Sequence, residues 1–247
     1  MPTAYIVDAV RTAGGRRGGR LAGVHPVDLL AKSLDAVVER SGVDPTAIDD
    51  VVTGCVSQAG EQAGQVGRMG VLASKLLPQS TPAVSIDRQC GSSQQAIQFA
   101  AHAVMSGTQD VVIASGVESM TRVPMGSNMT LHMKEGLGNY MSDGVKEKYP
   151  GVQFSQFMGA EMIAKKHGMK KEELDAFAFN SHEKAIAATQ SGAFENEIVP
   201  VAIETPEGDD THTVDEGIRF DASLEGIAGV KLIAPDGMVT AASASQI

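Results

Sequence analysis

The chain has 247 residues, 43% hydrophobic and 20% charged, with a formal net charge of -10. That length supplies enough core for one large domain or two small ones without covalent staples, and an acidic chain lacking a basic stripe argues against nucleic acid as a partner. Two cysteines cannot make a disulfide framework and fit a reducing, cytoplasmic compartment. The start, "MPTAYIVDAVRT", has no basic stretch leading into an apolar run. No segment reaches the roughly 18 apolar residues of a membrane helix, so no membrane role is expected.

The first half alternates strands and helices. Residues 4–10, "AYIVDAV", are β-branched and predict a strand. Residues 25–42 carry Leu29, Leu30, Leu34, Val37 and Val38 at helical spacing, with Pro26 suited to the first turn and Gly42 to the stop. Residues 50–57 predict a strand containing Cys55, and 65–78 a helix ended by Pro78. Residues 82–87 predict a strand leading into the helix after Cys90, and 110–116 another strand. This order is that of an α/β layer with a largely parallel sheet, in which ligands gather at the carboxyl ends of strands.

The texture then changes. Residues 117–157 are rich in Met, Gly, Ser and Asn and read as an irregular insertion. Helices follow over 159–168 and 171–192, the second presenting Leu174, Phe177, Ala178, His182, Ala185 and Ile186 on one face. Pro200 marks 197–204 as an edge strand, because proline cannot donate to a ladder. Residues 205–217 read as a loop, and 237–247 as the start of a strand.

Cys90 stands between a strand end and a helix with no charged residue from Gly91 to Gly107. Unpaired N–H groups at a helix N-terminus favour negative charge and hence a thiolate. Gly91 leaves room for a carbonyl group to approach the backbone, where N–H groups can hold an oxyanion. The uncharged helix is expected to be buried inside protein. Free cysteine also serves as a plain packing residue, and that alternative stands beside the nucleophile, whereas Cys55 reads as packing alone. A nucleophilic cysteine needs a base, and none of the six histidines, His25, His102, His132, His167, His182 and His212, lies in a motif that marks it as one. No Cys/His cluster has metal-ligand spacing. "RTAGGRRGG" lacks the spacing of a phosphate-binding loop and reads as a surface turn.

Taken in order, "DAVRTAGGRRGG", "DRQCGSSQQA", "SGVESMTRVPM", "FMGAEMIAKKHG", "DAFAFNSHEKA", "EIVPV", "DEGIR" and "DGMVTAASASQI" are spread along the whole chain. In that order they resemble the N-terminal half of thiolases, the acetyl-CoA acetyltransferases and 3-ketoacyl-CoA thiolases. The resemblance implies an α/β protein with the thiolase-like layered α/β/α/β/α fold. Residues 1–117 would form the N-terminal core and 118–240 an inserted loop domain holding coenzyme A. Residues 241–247 would return to the core, with the C-terminal half absent. It implies acyl transfer through an acyl-cysteine on Cys90, by thiolysis of 3-ketoacyl-CoA or condensation of acyl-CoAs. Met158 would line the acyl and pantetheine pocket, Arg219 would lie near the nucleotide end of coenzyme A, and Ser245 would lie beside the pantetheine. No metal and no permanently bound cofactor is implied; coenzyme A and acyl-CoA are substrates. The assembly would be a homodimer or homotetramer.

The departures from the family pattern are specific. Ser93 stands where members often have glycine, Phe157 where many have histidine, and Ala242-Ser243 where "GNAS" begins with Gly-Asn. The family's base histidine, in a GHP motif, and its second cysteine, in CxGGG, belong to the C-terminal half, and neither motif occurs in these residues. The expectation is that the chain alone is nearly inactive, or that a second chain supplies those groups. A non-catalytic acyl-CoA-binding protein and an unrelated cysteine hydrolase are the alternatives.

Overall fold

The computed structural model describes residues 2–152, 154–206 and 208–245. They fall into two compact units, one of residues 1–138 with 196–214 and one of residues 139–195 with 215–247.

The first unit is built on a three-stranded parallel sheet. Strand β1 (Arg11–Thr12) precedes α1 (Pro26–Ser41), β2 (Asp50–Gly54), α2 (Val66–Ala73), β3 (Ala83–Ile86), α3 (Ser92–Ser106), β4 (Val112–Gly116) and α4 (Ser127–Lys134). The sheet order is β3-β2-β4, with Gly54 of β2 beside Ile86 on one side and Gly116 on the other. The crossover through α2 moves to one side of β2 and that through α3 returns across it. Right-handed connections therefore put the two helices on opposite faces. The side chains agree. Gly67 of α2 lies against Thr53, while Gly54, the next residue, lies against the first turn of α3.

Helix α1 starts and stops as its sequence predicts. His25 caps it through Nδ1, which accepts from Val27 N–H, and Gly42 closes it at φ 65°. Leu30 and Leu34 of α1 join Val51, Cys55, Val66, Val71 and Leu77 in one buried cluster. Gly70 of α2 is required there, because a Cβ would meet Leu30 Cδ2 at 2.5 Å. Helix α2 ends at Ala73, short of Pro78. Ser74 turns the chain, its hydroxyl donating to Asp35 at 2.5 Å and accepting from Leu77 N–H at 2.9 Å.

Several expectations need correction. Residues 4–10 form no strand: only Arg11–Thr12 pairs, in parallel with β5 (Ile198–Val199), and Tyr5, Ile6 and Val7 are about four-fifths exposed. The apolar run has no neighbouring strand among the described residues, and β propensity is mostly a measure of such neighbours. β2 ends at Gly54, so Cys55 follows the strand. Pro200 breaks the chain between β5 and β6 (Val201–Thr205). The stretch expected to be a loop forms β7 (Gly208–His212), antiparallel to β6. Helix α3 is covered on one face only. Ala96 and Ala100 are buried towards the sheet, while Ile97 and Phe99 are half exposed. Lack of charge therefore marked a helix that can be covered on both faces without showing what covers it here.

In the second unit, the region expected to be irregular contributes α5 (Asp143–Lys148). It is followed by α6 (Gln156–His167), α7 (Lys171–Gln190) and α8 (Leu224–Ala228), as α4 had already done in the first unit. Lys171 ties α7 to α8, bonding Asp175 at 2.5 Å and the carbonyl of Ala228 at 2.9 Å. Phe177 is 79% exposed and leaves the face assigned to it, on which Ala178 is buried. Residues 237–245 form no strand and turn at 241–243. Their pairing is a single bridge, Leu232 with Thr240.

Candidate functional site

Cys90 lies in a tight turn between β3 and α3. Asp87 Oδ1 accepts from Gln89 N–H at 2.7 Å, and Gln89 takes φ 49°, a left-handed conformation that costs a non-glycine residue ~1 kcal/mol. Ser92 holds that conformation from below. Its hydroxyl accepts from Arg88 N–H at 2.9 Å and donates to the Gln89 carbonyl at 2.5 Å, which also accepts Ser92 N–H at 3.0 Å. The result presents Cys90 on the surface. Gly91 is the N-cap of α3 and makes no side-chain hydrogen bond to the first turn, so Cys90 immediately precedes the positive end of the helix.

The turn is seated on two glycines. Gly54 and Gly116 are in register on β2 and β4. A Cβ on Gly54 would lie 2.3 Å from Ser93 N and 2.4 Å from Ser92 C; one on Gly116 would lie 2.7 Å from Ser93 Cβ. The first turn of α3 thus rests directly on backbone, and this closeness sets the height of Cys90 above the sheet.

Beside it, Glu118 organises the ends of β2 and β4. Its carboxylate accepts from Val56 N–H at 2.8 Å, Ser57 N–H at 3.0 Å and Gln62 Nε2 at 3.1 Å. Gln62 is buried, and its Oε1 accepts from Ser119 N–H at 2.6 Å. Cys55 lies against this group. Burial first, and then the negative charges of Glu118 and Asp87, push its thiol up to about 12. The two cysteines are therefore opposites: Cys90 is exposed, while Cys55 is buried and held protonated. Ser92, Glu118 and the two glycines were missed as site residues. The motifs "DRQCGSSQQA" and "SGVESMTRVPM" contained three of them, but only tertiary distances separate them from their neighbours.

The histidines are dispersed. His25 caps α1, with Nε2 3.8 Å from Glu61. His212 is buried, its Nε2 3.2 Å from the carbonyl of Ala13. Among the described residues no histidine hydrogen-bonds to Cys90, and no group of three His, Cys, Asp or Glu side chains could hold a metal ion. No helix of the described residues is long and apolar enough to cross a membrane.

The other candidate residues belong to the second unit. Met158 is on α6 and half exposed. Arg219 follows α7, with its N–H donating to His182 Nδ1 at 3.3 Å. Ser245 is exposed in the turns that follow Thr240.

Residues 4–247 match the family model described as the N-terminal domain of thiolase. The chain is 47% identical to a steroid 3-ketoacyl-CoA thiolase of Mycobacterium tuberculosis, over all of this chain and 60% of that protein. It is 39% identical to a beta-ketoadipyl-CoA thiolase of Acinetobacter baylyi, over all of this chain and 64% of that protein. The fold is similar to the crystal structure of the Bacillus anthracis acetyl-CoA acetyltransferase, with TM-score 0.84 and 33% identity, covering all of this chain and 63% of the other. The chain spans about three fifths of the length of the curated relatives it matches.

Proposed function

Because the chain belongs to the thiolase family and spans its N-terminal domain, we propose that it carries the nucleophile and coenzyme A site of an acyl-CoA acyltransferase. The observation that carries this reading is the placement of Cys90. It is exposed, just before the N-terminus of α3, on a turn fixed by Ser92 and seated on Gly54 and Gly116.

The chemistry follows from that placement. The Cys90 thiolate attacks the thioester carbonyl of acyl-CoA, and the carbonyl oxygen becomes an oxyanion facing the first-turn N–H groups of α3. The bond from carbon to the coenzyme A sulfur then breaks, leaving an acyl-cysteine and a coenzyme A thiolate that takes a proton. In condensation, the enolate of a second acyl-CoA attacks the acyl-cysteine and frees the Cys90 sulfur. In thiolysis, Cys90 attacks the 3-keto carbon, the bond to the α carbon breaks, and the departing acetyl-CoA enolate is protonated. Free coenzyme A then takes the acyl group from Cys90. Both directions require a base to deprotonate the thiol and an acid–base group for the carbon. General acid–base catalysis typically contributes 10²–10⁴-fold.

We assign those two groups to a segment corresponding to the remaining length of the relatives, as a continuation of the chain or as a second polypeptide. The half-exposed Ile97 and Phe99 on α3 favour such a covering segment. The residues from 118 to 240 act as the coenzyme A-holding region, with Met158 at the acyl and pantetheine arm, Arg219 at the nucleotide phosphates and Ser245 at the pantetheine. A local cation is needed for a phosphate-bearing substrate in a chain of net charge -10. The reaction is placed in the cytoplasm, with homodimers or homotetramers as the working assembly.

Intact-mass spectrometry after incubation with acetyl-CoA tests the reading. An acetyl adduct on Cys90, abolished by Cys90→Ser, with turnover far below that of a complete thiolase, is expected. An adduct that survives Cys90→Ser, or no adduct even when the segment carrying the base is supplied, refutes it and leaves a non-catalytic binding protein as the better account.

A further inference from the structure

In the second unit, one carboxylate holds a stretch of backbone more than seventy residues further along the chain. Glu161, on α6, accepts Met238 N–H on both oxygens, at 3.0 and 2.8 Å, and Val239 N–H on Oε1 at 2.8 Å. The chain reaches the carboxylate through Gly237, where a Cβ would stand 2.2 Å from Glu161 Oε1 and 2.7 Å from its Cδ. Past this point the segment is tied at each step. The Val239 carbonyl accepts from Ile233 N–H at 2.9 Å. Thr240 is fully buried, donates its N–H to Ser243 Oγ at 3.0 Å, and accepts from Ala242 N–H on Oγ1 at 3.2 Å. Ser245 stands exposed five residues after Thr240. At the other end, Glu161 is three residues after Met158, one turn along the same side of α6.

We propose that Glu161 is the positioning residue of the acyl-CoA site, setting the segment 236–245 relative to Met158 through the backbone amides of Met238 and Val239. This rests on the reading above, in which Met158 and Ser245 meet the pantetheine arm. A carboxylate suits the task because it is an acceptor only and can take adjacent N–H groups from one side. The contact is to main chain, so the bonds to Glu161 do not depend on the side-chain chemistry at 238 and 239, although Val239 is itself buried. Gly237 supplies the space and Glu161 the attachment. Neither touches substrate in this scheme.

The test is isothermal titration of the 247-residue chain with coenzyme A, together with amide hydrogen exchange at Met238 and Val239. Glu161→Ala is expected to weaken coenzyme A binding roughly tenfold, the scale of a lost hydrogen bond to a charged group, and to speed exchange at both amides. Glu161→Gln, which keeps one acceptor oxygen, falls between. Gly237→Ala, which drives the carboxylate off its amides, is expected to weaken binding as well. The double variant Glu161→Ala with Gly237→Ala is expected to be no worse than the more damaging single one, because both remove one contact. Thermal unfolding of each variant separates a displaced segment from a lost fold. If Glu161→Ala keeps affinity within roughly twofold of the parent, or if the two losses add, the positioning role is overturned while the coenzyme A site stands. If the parent chain binds no coenzyme A, the site reading itself falls, and this inference with it.

Discussion

The seat of α3 makes a sharp prediction, because its two glycines differ in what they meet. A methyl group on Gly54 would approach Ser93 N to 2.3 Å and Ser92 C to 2.4 Å, about 1 Å inside ordinary contact, and both atoms are backbone. Backbone cannot rotate away, so Gly54→Ala must lift the first turn of α3 or push β2 aside. Overpacking of this kind costs about 1–3 kcal/mol, and a shift of about 1 Å at a reacting group can cost on the order of 10²-fold in rate. A methyl group on Gly116, 3.3 Å from the Gly54 carbonyl oxygen, meets first a side chain, Ser93 Cβ, at 2.7 Å. Removing that atom makes room, so Ser93→Gly is expected to restore Gly116→Ala to near parental behaviour and to leave Gly54→Ala impaired. The assay is the rate of Cys90 acetylation by acetyl-CoA, followed by intact mass, with thermal unfolding alongside. Parental acetylation and stability in Gly54→Ala, or equal rescue of both variants by Ser93→Gly, would refute the argument that the glycine seat sets the height of Cys90.

Two further outcomes follow from the group around Cys55. At pH 8, iodoacetamide is expected to modify Cys90 and spare Cys55 in the folded chain, since the Cys55 thiol is buried and pushed up to about 12; modification of Cys55 at a rate near that of Cys90 would show that the burial argument fails. The same shift has a sign for stability. The folded state keeps this proton when the unfolded chain releases it, so the contribution is fully present below pH 9.0 and is lost as pH rises through about 12, which denaturant titrations across that window can read. Glu118→Gln puts an NH₂ group where one oxygen now accepts Val56 or Ser57 N–H. A loss of about 1–3 kcal/mol in chemical denaturation is expected from the donor left facing a donor, together with slower acetylation of Cys90; unchanged stability would mean the group is dispensable.

How much of this was legible in the sequence depends on the range over which each signal acts. Helix α1 was readable because Pro26 and Gly42 mark its ends locally and Leu30 and Leu34 keep helical spacing. The strand-Cys90-helix arrangement was readable for the same reason. The strand expected over 4–10 was not formed, since its apolar residues need a neighbour that their own sequence cannot name. The hairpin of β6 and β7 was hidden by "GDDTH", which carries no apolar alternation and is held by pairing with Val201–Thr205. Pro200 was recognised as incompatible with a central ladder position, yet its effect was to divide one expected strand into two. Helix α2 stops early because Asp35, 39 residues before Ser74, receives the Ser74 hydroxyl. Such a contact has no sequence signature.

The site residues divide in the same way, and the division has a physical basis. Cys90 could be singled out because a cysteine between a strand end and a helix start is a local pattern that the sequence displays. Glu118 and Glu161 were passed over because each acts on main chain. In both units a carboxylate takes two consecutive backbone N–H groups: Val56 and Ser57 in one, Met238 and Val239 in the other. In both, a glycine stands within two residues before the held pair where a Cβ would collide, Gly54 with α3 and Gly237 with the carboxylate itself. The anchoring bonds themselves ask for no particular side chain at the held positions, although Ser57 and Val239 are buried and packed. Such a carboxylate acts through main chain, so its position is set by tertiary contact and not by a local sequence pattern.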